Sequence, residues 1–249
     1  MIRAAIRIVL LAIWCLLAVP FAVGCVLATL GRPSARMRLG AFLNRYFSRG
    51  ICGILGLRLR RVGAPPPPGG CLVTPNHWGY VDVFVLAALH STSFVSRADV
   101  AGWPVIGAFA RSVGTLFIRR AVRRDTASVG DAIARHLRAG GCVTVFLEGG
   151  AGSGATVRRF RSSLLAGAVT TGMPCVPVAV RYTLPEDPDR DPGEAVAWTA
   201  GDFLPHAGRL LRLRRIDAEV TFLPPRTGAD RKRLARELES DVRAVVEKR

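Results

Sequence analysis

The chain has 249 residues, half of them hydrophobic, and a formal net charge of +17. That length holds one α/β domain with an attachment segment, or at most two small domains. So basic a chain needs a polyanionic partner, an anionic membrane surface or a nucleic acid; the second rests on charge alone, because aromatics make up 7% and no helix-turn-helix, zinc-finger or RNA-recognition signature occurs. The first element in chain order is the stretch 8–30, IVLLAIWCLLAVPFAVGCVLATL, which carries no charge. At about 1.5 Å per residue it can cross a hydrocarbon core of about 30 Å, with Pro20 as the place for a kink. Arg3 and Arg7 precede it and Arg32, Arg36 and Arg38 follow, which puts the downstream chain on the cytoplasmic side. A cleaved signal peptide competes, since Ala22-Val23-Gly24-Cys25 faintly matches a lipoprotein box. The apolar run continues past Cys25, however, and six cysteines argue against export. The expectation is a single membrane-embedded anchor, spanning or re-entrant.

In residues 34–57, Leu39, Phe42, Leu43, Tyr46, Phe47, Ile51, Ile54 and Leu55 recur at helical spacing, with Arg36, Arg38, Arg45 and Arg49 between them. This is either a basic amphipathic helix lying on anionic lipid or a helix packed on a core with a solvated basic face; the neighbouring anchor favours the first. PPPPGG at 65–70 breaks the chain. Short apolar strands are expected at 71–75, 92–96, 115–118, 142–146 and 175–181, with helices at 81–90, 104–112, 126–138 and 163–171. Residues 185–193, PEDPDRDPG, read as an acidic surface loop, 216–223 as a late strand, and 229–249 as a helix packed through Leu234, Leu238, Val242 and Val245. Alternating strands and helices imply an α/β fold, a mostly parallel sheet flanked by helices. The expected division is 1–62 for the anchor and basic helix, and 63–249 for the catalytic domain.

In such sheets the chemistry gathers beyond the carboxyl ends of strands. There the sequence reads TPNHWGYVDVF, residues 74–84, with His77 and Asp82 in apolar surroundings. They are either a satisfied polar pair in a core, or a general base whose tautomer is fixed by the carboxylate one turn into the next helix. FLEGG at 146–150 sets Glu148 before a glycine-rich loop, whose backbone can approach a ligand closely and offer amides to an oxyanion. Arg119, Arg120, Arg158, Arg159 and Arg161 are solvated charges, or hold a phosphate through bidentate contacts. Pro177 belongs on an edge strand or at a bend. The six cysteines form no CxxC pair and read as buried free thiols, and the four histidines are scattered without ligand spacing, so no metal site is expected.

Taken in order, NHWGYVD, GTLFIRR, FLEGG and VPVAV resemble the four motifs of the glycerolipid (lysophosphatidic acid) acyltransferase family, over about residues 70–182. The resemblance implies that His77 is the general base and Asp82 orients it. Arg120 would line the acceptor phosphate site, with Gly114 and Phe117 in the same motif; Glu148 and Gly149 would form the third motif and Pro177 the fourth. Leu147, Gly150 and Ala151 stand where the family usually has proline, threonine and arginine, which bears on acceptor recognition more than on acyl transfer. SRADVAGWPVIGAFARSVGTLFIRR and FRSSLLAGA are also similar to a bacterial branch that includes lyso-ornithine lipid acyltransferases. The implied activity is acyl transfer from acyl-CoA or acyl-carrier-protein to a lysolipid hydroxyl, 1-acyl-sn-glycerol-3-phosphate first and lyso-ornithine lipid as the alternative. It needs no cofactor and no nucleic acid, and belongs on the cytoplasmic side of a bacterial inner membrane. The rivals are a hydrolase using Ser162 or Ser163, although no GxSxG elbow is present, and a non-enzymatic membrane adaptor.

Overall fold

The computed structural model describes residues 2–103, 106–119, 123–199 and 201–248. Two helices lead the chain, α1 (Ile2–Ala28) and α2 (Pro33–Leu55). Strand β1 (Leu57–Val62) follows, then β2 (Cys71–Pro75), α3 (Tyr80–Leu89), β3 (Ser93–Arg97), α4 (Ile106–Ser112), β4 (Leu116–Ile118), α5 (Arg123–Arg138) and β5 (Cys142–Thr144). The last part holds α6 (Ala166–Thr171), β6 (Cys175–Thr183), α7 (Pro192–Val196), α8 (Phe203–Leu210), β7 (Ile216–Phe222) and α9 (Arg231–Val246). Among the described residues the strands form one sheet in the order β1-β7-β6-β2-β5-β3-β4. Every neighbouring pair is parallel except β6 with β7.

Alternation along the strands sends side chains to opposite faces, and helices cover both. On one face Val73 of β2 and Val178 and Val180 of β6 pack with Val81, Val85 and Leu86 of α3 and Ile51 and Leu55 of α2. On the other, Leu72, Val143 and Ala179 pack with Ile133 and Leu137 of α5, Leu165 and Ala168 around α6, and Leu234, Leu238 and Val242 of α9. The expected mostly parallel sheet between helices is therefore the observed one. Asp230 starts α9 as a cap, its side chain accepting from the amides of Lys232 and Arg233.

Three expectations change. The boundary expected at residue 62 cuts behind β1, which hydrogen-bonds β7 from Leu57 to Val62 and so belongs to the sheet. Helix α2 buries Met37, Gly40, Ala41, Asn44, Ser48, Ile51, Cys52 and Leu55 and turns Phe42 and Tyr46 outward with Arg49 over the Tyr46 ring. Of the anticipated apolar face, Ile51 and Leu55 are buried, Leu39, Leu43, Phe47 and Ile54 are half-buried, and Phe42 and Tyr46 are left outside. Pro177 lies in β6, an interior strand rather than an edge. Its carbonyl accepts from Leu223 N–H, one residue beyond the Val178–Phe222 end of the β6–β7 ladder, so its missing N–H falls where that ladder stops.

Helix α1 is long and apolar enough to cross a membrane, and 6% of its most apolar window is buried. It is nonetheless fastened to the domain along its length. Arg7 donates to the carbonyls of Leu211, Leu213 and Arg214. Trp14 Nε1 donates to Phe47 O at 3.0 Å, its indole lying over Gly50, and Cys25 Sγ reaches Ser112 O.

Candidate active site

Strand β2 delivers its chain to the carboxyl edge of the sheet at Pro75. The next residue, Asn76, is anchored sideways to β6, its Nδ2 donating to Val180 O and its Oδ1 accepting from Val180 N–H. This turns His77 out at the mouth of the sheet, with its ring stacked on Phe146 at 3.8 Å between centroids. Asp82 lies in the first turn of α3 and is completely buried. Its Oδ2 accepts from His77 Nδ1 at 2.8 Å, from Trp78 N–H at 2.6 Å and from Gly79 N–H at 3.0 Å. Its Oδ1 accepts from the Tyr182 hydroxyl at 2.7 Å. A carboxylate only accepts, so His77 Nδ1 carries a proton and Nε2 has a free lone pair. The same carboxylate satisfies amides at the start of α3, so helix capping and imidazole orientation are one device.

Glu148 closes the other side. Its Oε1 accepts from the backbone N–H of His77 at 2.9 Å, while Oε2 is buried with no hydrogen-bond partner. Burial pushes its carboxyl up to about 7, against the lowering effect of the His77 and Arg158 amides and the Arg158 charge. Gly149 follows with φ 80, where a Cβ would meet the Arg161 guanidinium at 2.9 Å. Gly154, with φ 84, lets the loop cross the face of Trp78, where a Cβ would lie 2.2 Å from the ring. The Gly149 amide donates to Phe146 O and the Gly152 amide to His77 O, so both are committed to backbone carbonyls, the second of them tying the loop to the chain after β2. Beside Glu148 opens a cavity of about 570 Å³, lined by Arg158, Arg159, Arg161, Lys232 and Arg236 together with Ser162, Ser163 and Glu239.

The structure thus brings His77, Asp82, Glu148 and Gly149 into one site. Gly114 lies in the turn between α4 and β4, where a Cβ would meet Met37 Cα at 2.9 Å; its close neighbour is α2. Phe117 is half-buried on the edge strand β4, paired with Ser96. Arg120 lies outside the described residues. Among the described residues no serine hydroxyl bonds to His77, which removes support from a triad through Ser162 or Ser163. Tyr182, Asn76 and Phe146 are site residues the sequence reading did not single out. Asn76 and Phe146 adjoin quoted motif residues and could have been found there; Tyr182 carries no local signal.

What this arrangement can do is take a proton. An imidazole held in one orientation by a carboxylate with all its neighbours in place can present Nε2 to an incoming hydroxyl. The Acyltransferase family model matches residues 60–181. The chain is 38% identical to a lyso-ornithine lipid O-acyltransferase of Rhodobacter capsulatus, over 80% of this chain and 74% of that one. It is 35% identical to the enzyme of that name from Pseudomonas aeruginosa, over 82% and 78%. It is 31% identical to a 1-acyl-sn-glycerol-3-phosphate acyltransferase of Neisseria meningitidis, over 87% and 84%. The fold superposes on the 1-acyl-sn-glycerophosphate (LPA) acyltransferase PlsC of Thermotoga maritima with a TM-score of 0.67 at 18% identity, over 98% of this chain and 96% of that one. With HxxxxD at the mouth of this sheet and relatives alike over most of their length, the chain belongs to the acyltransferase family and is an O-acyltransferase-type enzyme.

Proposed function

We propose that this enzyme moves a fatty acyl group from an acyl thioester, carried by CoA or acyl-carrier-protein, to the hydroxyl of a lysolipid at a membrane surface, and that its acceptor is a lyso-ornithine lipid. The observation that carries the transfer step is the His77–Asp82 pair. The acceptor hydroxyl lies against His77 Nε2 and loses its proton there as its oxygen attacks the thioester carbonyl. The new C–O bond forms and the C–S bond breaks. The leaving thiolate takes up the proton held by the imidazolium, which Asp82 stabilises meanwhile. The acceptor reading is supported by identities of 38%, 35% and 34% to three enzymes of that name, with a fourth at the 31% of the 1-acyl-sn-glycerol-3-phosphate enzymes, and by a cavity of mixed sign. Its arginines suit a carboxylate, and the unpartnered Glu148 Oε2 suits an ammonium. Helix α1 and the outward Phe42, Tyr46 and Arg49 of α2 support attachment to an anionic bilayer, on the cytoplasmic side by the charge rule.

The test supplies purified enzyme with a labelled acyl thioester and either lyso-ornithine lipid or 1-acyl-sn-glycerol-3-phosphate. Label is expected in the ornithine lipid, and His77→Ala is expected to lower that rate on the order of 10²–10⁴-fold. Label in phosphatidic acid alone reassigns the head-group cavity. Undiminished transfer by His77→Ala overturns the mechanism.

A further inference from the structure

The opposite edge of the sheet holds a second cluster of reactive side chains. Cys71 opens β2 and Cys142 opens β5, and the two residues face each other in the parallel register. Their sulphurs are 3.3 Å apart. His90 caps the carboxyl end of α3, and one of its ring nitrogens lies with the two sulphurs so that all three atoms are within 4.8 Å of one another. Cys71 is buried and the other two are half-buried. His90 Nε2 is enclosed without a hydrogen-bond partner, an uncompensated polar atom of the kind a bound ligand accounts for.

We infer that Cys71, His90 and Cys142 bind a zinc ion. Two thiolates, one neutral imidazole and a divalent cation sum to zero charge, as a largely enclosed site requires. Two Zn–S bonds of about 2.3 Å at the tetrahedral angle hold sulphurs about 3.8 Å apart, so the pair needs to separate by only about half an ångström. The open side at Cys142 and His90 leaves a fourth position for water. The site is remote from the chemistry, since His77 stands six residues beyond Cys71 along an extended strand, about 20 Å. Its work is mechanical. β2, α3 and β5 each carry a ligand at one end and an active-site residue at the other: Cys71 and His77, His90 and Asp82, Cys142 and Glu148. Zinc at one edge therefore ties together the three elements that must hold register at the other.

The experiment uses full-length, tag-free protein, reduced and stripped with a chelator, then titrated with Zn²⁺ alone or with Co²⁺ alone. One zinc per chain is expected, with a thiolate-to-cobalt charge-transfer band for the cobalt form and a higher Tm for the zinc form. His90→Asn and Cys142→Ser are expected to weaken zinc binding at least tenfold, and Cys15→Ser not at all. Absence of the charge-transfer band in the wild-type protein overturns the inference, whatever the folding of the variants. So does equal zinc affinity in folded His90→Asn, or a Cys71–Cys142 disulfide in protein kept under reducing conditions.

Discussion

Asp82 receives hydrogen bonds from His77, Trp78, Gly79 and Tyr182, so each neighbour holds it in place and it holds each neighbour. Tyr182→Phe removes the bond from the far side and leaves Oδ1 buried without a partner. The expected cost is about 1–2 kcal/mol in chemical denaturation and a several-fold lower kcat with little change in KM. Glu148 gives a sharper signature because its proton is retained on folding. The unfolded carboxyl ionises near 4.5 and the folded one at about 7, so between those values the native state binds the extra proton and stability falls as pH rises. Between pH 5 and pH 8 the wild type is expected to lose roughly 2 kcal/mol that Glu148→Gln does not lose. Parallel melts of the two proteins at both pH values measure it; equal slopes would mean an ionised Glu148 throughout. At this scale the legible residues were those whose partner is nearby in sequence. His77 and Asp82 straddle one strand end and one helix start, five positions apart. Tyr182 comes from 100 residues further on and arrives beside Asp82 only because β6 lies next to β2, a matter of topology that a linear pattern does not contain. The Cys71, His90 and Cys142 cluster escaped notice for the same reason.

Among the elements, the glycine-rich loop after β5 passes close to Trp78 beside the site. Gly154→Ala places a methyl group against the Trp78 ring at a backbone angle that L residues avoid. Trp78 also donates its backbone N–H to Asp82 and its indole N–H to Val180 O, so displacing the ring disturbs the Asp82 carboxylate. A loss of at least tenfold in kcat/KM with about 1–2 kcal/mol of stability is expected; a variant with native activity would show that the loop can shift without cost. Most strands and helices were legible because their periods are local. β1 was not, because the helical pattern of α2 runs into it and its LRLR alternation shows only once a partner strand is known. α7 starts inside the acidic, proline-rich stretch read as a loop, where Asp191 caps it by accepting from Gly193 N–H.

At the scale of the whole molecule, α1 and the rest of the chain are packed together. Arg7 and Cys25 tie α1 to the domain near its two ends and Trp14 ties it between, so any depth α1 reaches in a bilayer is shared by the surfaces of α2 and α4 beside it. Gly50→Leu tests the coupling by forcing a side chain into the Trp14 indole, which a Cβ alone would approach to 2.2 Å. Proteolytic cleavage between α1 and α2 is expected to become several-fold faster, and transfer to acceptor presented in vesicles to fall by a similar factor. Unchanged cleavage and transfer would show α1 to be independent of α2. Among the described residues the basic charge is spread over helices, loops and strands, and the cavity beside Glu148 gathers Arg158, Arg159, Arg161, Lys232 and Arg236 in one place.

The pairing of β1 with β7 also sets the order of events when the protein is made. Arg60 meets Glu219 across that pair, 159 residues later. At ribosomal speeds of about 5–20 residues per second, β1 leaves the exit tunnel roughly 10–30 s before its partner exists. For that interval the nascent chain carries an open strand next to a greasy helix, a standing invitation to intermolecular pairing. Arg58, Arg60 and Arg61 occupy the strand as like charges that repel another copy of themselves, and one of them later becomes an ion pair when the correct neighbour arrives. The same charges also blunt the finished sheet, of which β1 is an edge strand.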